Sequence, residues 1–140
     1  SWCMNVGEKI DPEYEKWFQI VYDAREDARQ FIQARLDAGE KVRGYEVDRR
    51  LKERFEQLGC AQYLMHRTGH NIGHRCHGIG ANLDDYETHD DRCLLPGTMF
   101  SIEPGLYTDK YGVRLEYDVH ITSEGETKVY GPVQDEILVI

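Results

Sequence analysis

Two glutamates in the second half of the chain sit in unlike settings. Glu103 closes the strand-like run Met99–Glu103, and Glu116 sits within the run Gly112–Thr122. Upstream, His66, His70, His74 and His77 are interleaved with Gly69, Gly73, Gly78 and Gly80. Imidazole and carboxylates drawn from separate strands are the donor set of an open metal site, the kind that activates water for hydrolysis.

The spacing of His66, His70 and His74 would align three imidazoles on a helix. Gly69 and Gly73 fall inside that helix and Gly78 and Gly80 follow it, so a helical site is rejected. The segment reads as a loop entering a strand, where glycine lets backbone approach a ligand closely. The four histidines then need not converge: one or two belong to a site and the rest are ordinary polar surface.

Alternation in the run Gly112–Thr122 sends Val113, Leu115, Tyr117, Val119 and Ile121 to one face. Arg114, Glu116, Asp118 and His120 go to the other. This also describes a half-buried strand with a wet face. A guanidinium two residues before a carboxylate on one face suits an active site as well, because it orients and ionises the acid. In Phe100–Gly105, Phe100 and Ile102 face one side and Ser101 and Glu103 the other. Pro104 ends the strand there, leaving Glu103 at a sheet end where a pocket can form.

Two helices must position these strands. Asp11-Pro12-Glu13 is a helix start, with a capping side chain, proline at the first position and an acid in the first turn. Apolar residues from Tyr14 to Leu36 keep helical spacing, and Gly39 is the expected stop. A second helix is predicted from Tyr45 to Leu58, with Val47, Leu51, Phe55 and Leu58 on one face and Gly59 at its end. Strands are predicted at Met99–Glu103, Gly112–Thr122, Glu126–Tyr130 and Glu136–Ile140, with turns at Leu95-Pro96-Gly97 and Pro104-Gly105. Two helices followed by several strands predict an α+β fold, an antiparallel sheet covered by the helices.

The chain has 140 residues and a formal net charge of -9, which fits one domain and argues against nucleic acid or an anionic membrane as partner. Cys3, Cys60, Cys76 and Cys93 form no C-x-x-C pair, and read as reduced thiols of a cytoplasmic protein. No apolar run reaches membrane-spanning length. The opening at Ser1, inside what reads as a strand end, is expected of a processed or truncated product.

Taken in order, His66-Arg-Thr-Gly-His70-Asn-Ile-Gly, Cys76-His-Gly-Ile-Gly-Ala-Asn-Leu-Asp-Asp85, Leu94-Leu-Pro-Gly-Thr-Met-Phe-Ser-Ile-Glu-Pro-Gly-Leu-Tyr107 and Gly112-Val-Arg-Leu-Glu-Tyr-Asp-Val-His-Ile-Thr122 closely resemble the catalytic domain of the pita-bread metallopeptidases. The first two stretches look most like the Xaa-Pro branch, the prolidases and aminopeptidases P. The resemblance covers the whole chain. It implies a partial pita-bread (creatinase/aminopeptidase-like) fold, with residues 1–140 as the C-terminal portion of the catalytic domain. An N-terminal domain and the first metal-ligand strands, which carry two aspartate ligands, would lie outside it.

Carried onto this sequence, the resemblance makes His70, Glu103 and Glu116 metal ligands, with Glu116 bridging two ions. Glu103 would also act as general acid or base. His77 would be catalytic and substrate-binding, His66 would help hold substrate, and Arg114 would support Glu116 at the substrate site. His74, His89 and His120 match no functional position. The implied cofactor is a pair of divalent ions, Mn²⁺ first, with Co²⁺, Fe²⁺ or Zn²⁺ as alternatives. The implied substrate is a peptide or dipeptide with proline second, and the implied assembly a homodimer of the full-length protein. With three ligands of five, the isolated piece is expected to be inactive. The competing readings are a non-catalytic pita-bread binding module and a creatinase-like hydrolase.

Overall fold

The computed structural model describes residues 1–140. Helix α1 spans Pro12–Asp37, and the Asp11 carboxylate accepts the Glu13 N–H at 2.9 Å to cap it. Helix α2 spans Gly44–Gln57, one residue earlier at each end than its apolar pattern predicts. Gly59 follows it at φ +69°, a left-handed conformation that a side chain would strain. Val21, Ala24, Ala28 and Ile32 of α1 and Val47, Leu51 and Phe55 of α2 are buried in the common core. Between the helices, Arg50 clasps Asp27 through two hydrogen bonds of 2.8 Å.

One polar residue breaks the apolar face of α1. Arg25 is fully buried, its guanidinium lying over the rings of Tyr22 and Tyr117. Its Nη2 donates to the Gln134 carbonyl at 3.1 Å and its Nε to Glu26 at 3.1 Å. Delocalised charge and a flat shape let arginine sit between rings where an ammonium would be too strongly hydrated.

The strands are β1 (Met4–Asn5), β2 (Asn71–Ile72), β3 (Met99–Ile102), β4 (Gly105–Tyr107), β5 (Gly112–Arg114), β6 (Tyr117–Ile121), β7 (Thr127–Tyr130) and β8 (Leu138–Val139). Antiparallel β2, β3, β6 and β7 form one sheet in that order, and β4 pairs with β5 in a second. The expected antiparallel sheet is β2–β3–β6–β7, and only the expected strand Glu136–Ile140 is corrected in its place: β8 pairs with β1 in parallel. The final apolar run therefore returns to the start of the chain and does not extend the main sheet.

The predicted strand Gly112–Thr122 is also corrected. It divides into β5 and β6, with Leu115 and Glu116 between them. Register explains the division. Ile102 pairs with Tyr117 in one sheet and Gly105 with Arg114 in the other. One long hairpin thus keeps a single register and is interrupted in its middle. Pro104 supplies no N–H there, so the ladder cannot continue through it. Burial still alternates from Val113 to Ile121, as the sequence predicts.

Candidate metal centre

The interruption of the hairpin builds the site. Constant register on either side sets Glu103 opposite Glu116. Like charges directly across a strand pair are destabilising, so this position is unfavourable without a cation. The third member comes from the strand on the other side of β3. Pairing of β2 with β3 runs on toward the N-terminus of β2, where Ser101 N–H donates to the His70 carbonyl at 2.9 Å and Glu103 N–H to the Thr68 carbonyl at 2.7 Å. His70, Glu103 and Glu116 thereby offer ligand atoms within 4.8 Å of one another.

His70 is buried, and the two carboxylates are half-buried. Its Nδ1 lies 3.1 Å from the Asn71 carbonyl, which can only accept, so Nδ1 carries the ring proton. In the neutral ring its Nε2 lone pair faces Glu103 Oε1 at 3.2 Å. Two acceptors face each other, an arrangement that a bound cation satisfies. Ser101, fully buried between them, accepts the His70 N–H at 3.0 Å and donates to Glu103 Oε1 at 3.0 Å.

The Ser1 hydroxyl donates to Glu116 Oε2 at 2.9 Å. Burial pushes the Glu116 carboxyl up, while the Ser1 hydroxyl and the Arg114 charge pull it down. Asp118, two residues on, is raised by burial and by the charge of Glu116; it lies outside the ligand cluster. The donor set of one imidazole and two carboxylates fits one hard or borderline divalent ion. A pair of ions needs ligands beyond these three.

The other predicted residues surround the cluster in different ways. The His77 ring meets His70 edge-on, with centroids 4.3 Å apart, and is otherwise exposed. Arg114 reaches Glu116 only through the Ser1 hydroxyl, to which its Nε donates at 2.8 Å; its nearest carboxylate is Glu103, at 3.9 Å. His66 has both ring nitrogens engaged: Nδ1 donates to the Arg67 carbonyl at 2.7 Å and Nε2 accepts from the Tyr107 hydroxyl at 2.8 Å. Gly105 permits that pair, since a Cβ there would stand 2.8 Å from His66 Nε2 and 2.9 Å from the Tyr107 hydroxyl. His74 is exposed, His89 pairs with Asp85 at 2.6 Å, and His120 packs on Tyr130, so these three take no part in the ligand cluster.

Sequence reasoning missed Ser101, Tyr107 and Asp48. Ser101 shares the strand face of Glu103 two residues away, and that was the available signal. Asp48 lies on α2, where no site residue was expected. It is buried and accepts the Thr68 N–H at 2.8 Å, the Thr68 hydroxyl at 2.6 Å and the Asp85 N–H at 2.7 Å. It therefore ties the helix to the segment that carries His66 and His70. Tyr107 and Arg114 also line an open cavity of about 410 Å³, with Ser1, Trp2 and Tyr14, beside the ligand cluster.

The fold has counterparts among solved structures. The X-Pro aminopeptidase of Thermotoga maritima superimposes at a TM-score of 0.80, with 26% identity over 98% of this chain and 36% of that one. A dipeptidase from Pyrococcus horikoshii gives 0.79 with 28% identity over the same shares. The putative dipeptidase YkvY of Bacillus subtilis is 32% identical over 120 residues, 83% of this chain and 30% of the relative. The chain thus spans about a third of the length of the relatives it matches. No helix is long and apolar enough to cross a membrane. Residues 1–123 match the metallopeptidase family M24, and with its pita-bread fold the chain belongs to that family of metal-dependent peptide hydrolases.

Proposed function

We propose that residues 1–140 are the C-terminal portion of the catalytic domain of an Xaa-Pro peptidase, acting on peptides or dipeptides with proline second. The observation that carries this reading is the interrupted hairpin. It sets Glu103 opposite Glu116 with the free Nε2 of His70 on Glu103, a set of acceptors in need of a cation. His70, Glu103 and Glu116 would hold divalent ions, Mn²⁺ first among them because two of three donors are carboxylates. When bound, such ions supply Lewis acidity at the scissile carbonyl and water that ionises near neutral pH.

The chain's own residues do the rest. Glu103, fixed by Ser101, would pass a proton from water toward the leaving amine. His77, exposed at the rim beside His70, would donate to the oxygen on which negative charge develops. Arg114, beside the open cavity with Tyr107, would meet the carboxylate end of a short peptide. These residues supply three ligands, enough for one ion, so full activity belongs to a protein in which further ligands complete the pair.

The test is hydrolysis of matched Xaa-Pro and Xaa-Ala dipeptides by the Mn²⁺-loaded protein that carries these residues. We expect a preference for Xaa-Pro of at least about tenfold, equivalent to ~1.4 kcal/mol in the transition state. Equal rates on both substrates would remove the proline assignment, and no hydrolysis of either would remove the peptidase.

A further inference from the structure

Cys76 is exposed, unpaired, and used by nothing in the peptidase reading. Its Sγ, a ring nitrogen of His77 and a ring nitrogen of His70 all lie within 4.8 Å of one another. The same span unites His70 with Glu103 and Glu116. His70 therefore belongs to two donor sets of opposite character. One is an imidazole with two carboxylates. The other is two imidazoles with a thiol.

His70 has one nitrogen to give. Its Nδ1 proton is committed to the Asn71 carbonyl, so the Nε2 lone pair serves one ion at a time. Zinc binds sulfur at ~2.3 Å and imidazole nitrogen at ~2.0–2.1 Å, which sets tetrahedral donors roughly 3.5 Å apart. Cys76 and His77 are exposed, so side-chain rotation closes the remaining gap without disturbing the core. Thiolate selects soft and borderline ions, whereas carboxylates suit Mn²⁺.

We propose that His70, Cys76 and His77 form a soft-metal site that takes Zn²⁺ and competes for His70 with the carboxylate site. Binding breaks the Cys76 S–H bond, forms an Sγ–Zn bond and releases the proton to solvent. The consequence is a choice of ion at His70: Zn²⁺ drawn to the thiol side leaves Glu103 and Glu116 without their imidazole partner. The proposal does not depend on proline specificity.

Co²⁺ is the probe, because a thiolate ligand gives it a charge-transfer absorption in the near ultraviolet. The 140-residue chain should show this band, and Zn²⁺ should bleach it. Cys76→Ser should lack the band and bind Zn²⁺ at least about tenfold more weakly, since even outer-sphere changes cost a metal ~10–100-fold. His77→Ala should weaken Zn²⁺ as well. Mn²⁺ affinity should be unchanged in Cys76→Ser, and the cobalt band should persist in Glu116→Gln. A band that survives in Cys76→Ser, or equal Zn²⁺ affinity in the two proteins, overturns the proposal. Loss of Mn²⁺ binding in Glu116→Gln concerns the carboxylate site alone, so failure of one site is distinguishable from failure of the other.

Discussion

Ser101 joins the two ligands that the backbone cannot hold by itself. Its hydroxyl accepts from the buried His70 N–H and donates to Glu103. Ser101→Ala leaves that N–H without a partner, which should cost about 1–3 kcal/mol of stability. It also frees the Glu103 carboxylate to rotate, so Mn²⁺ affinity should fall about tenfold. Chemical denaturation and calorimetric titration read the two effects separately. Unchanged affinity would mean that Glu103 is oriented by something else. At this scale the sequence was only partly legible. Residue type and setting marked Glu103 and Glu116, the resemblance alone picked His70 from the four histidines, and the structure brings these three together. The distribution of partners was hidden, because it depends on contacts between distant segments. Arg114 reaching Glu116 through Ser1, and His66 committed to Tyr107, are arrangements of that kind.

Among the elements, α2 holds the histidine segment in place. Asp48 accepts three hydrogen bonds from Thr68 and Asp85 at its buried position. Burial raises its carboxyl above the ordinary value, against the pull of those bonds. Asp48→Ala should cost about 1–3 kcal/mol, mainly through the stranded Thr68 N–H, and should loosen His70 as it does so. Hydrogen exchange at Thr68 and His70 should speed up while α1 amides stay protected; uniform exchange across both would contradict the anchoring role. Both helices were legible to within a residue because apolar period, caps and stops all agree there. The division between β5 and β6 was not. Alternation passes through Leu115 and Glu116 unbroken, and only the partner strand, with Pro104 opposite, reveals the interruption. The parallel pair β1–β8 was hidden for the same reason: two short runs from opposite ends of the chain carry no local sign of their pairing.

Across the whole molecule, the loop from Asn82 to Arg92 is fastened by charge. Arg92 hydrogen bonds hold the Asp90 carboxyl down at about 2, helped by the N–H groups of Asn82 and Arg92 and opposed by burial. A depressed acid stabilises the fold above its unfolded value, 3.8, and that contribution is lost as pH falls toward about 2. Asp90 also accepts the Tyr45 N–H through its carbonyl, so the loop is tied to the start of α2. The melting temperature should fall more steeply with acid in the wild type than in Asp90→Asn between these two values. Parallel curves would remove Asp90 from the acid response. The α+β class had a plain reading at this scale, because both helices precede the strands of the main sheet in the chain. The three-sheet arrangement did not, since the interrupted hairpin separates two of the sheets and distant segments pair to make the third.

The central claim is that His70, Glu103 and Glu116 act together as a cation site at the interrupted hairpin. Titration of Mn²⁺ into the 140-residue chain, beside Glu103→Gln and Glu116→Gln, tests it most directly. The account predicts saturable binding in the wild type that falls by at least about tenfold in each variant, because each loses a charged ligand. Equal binding by all three proteins would contradict it.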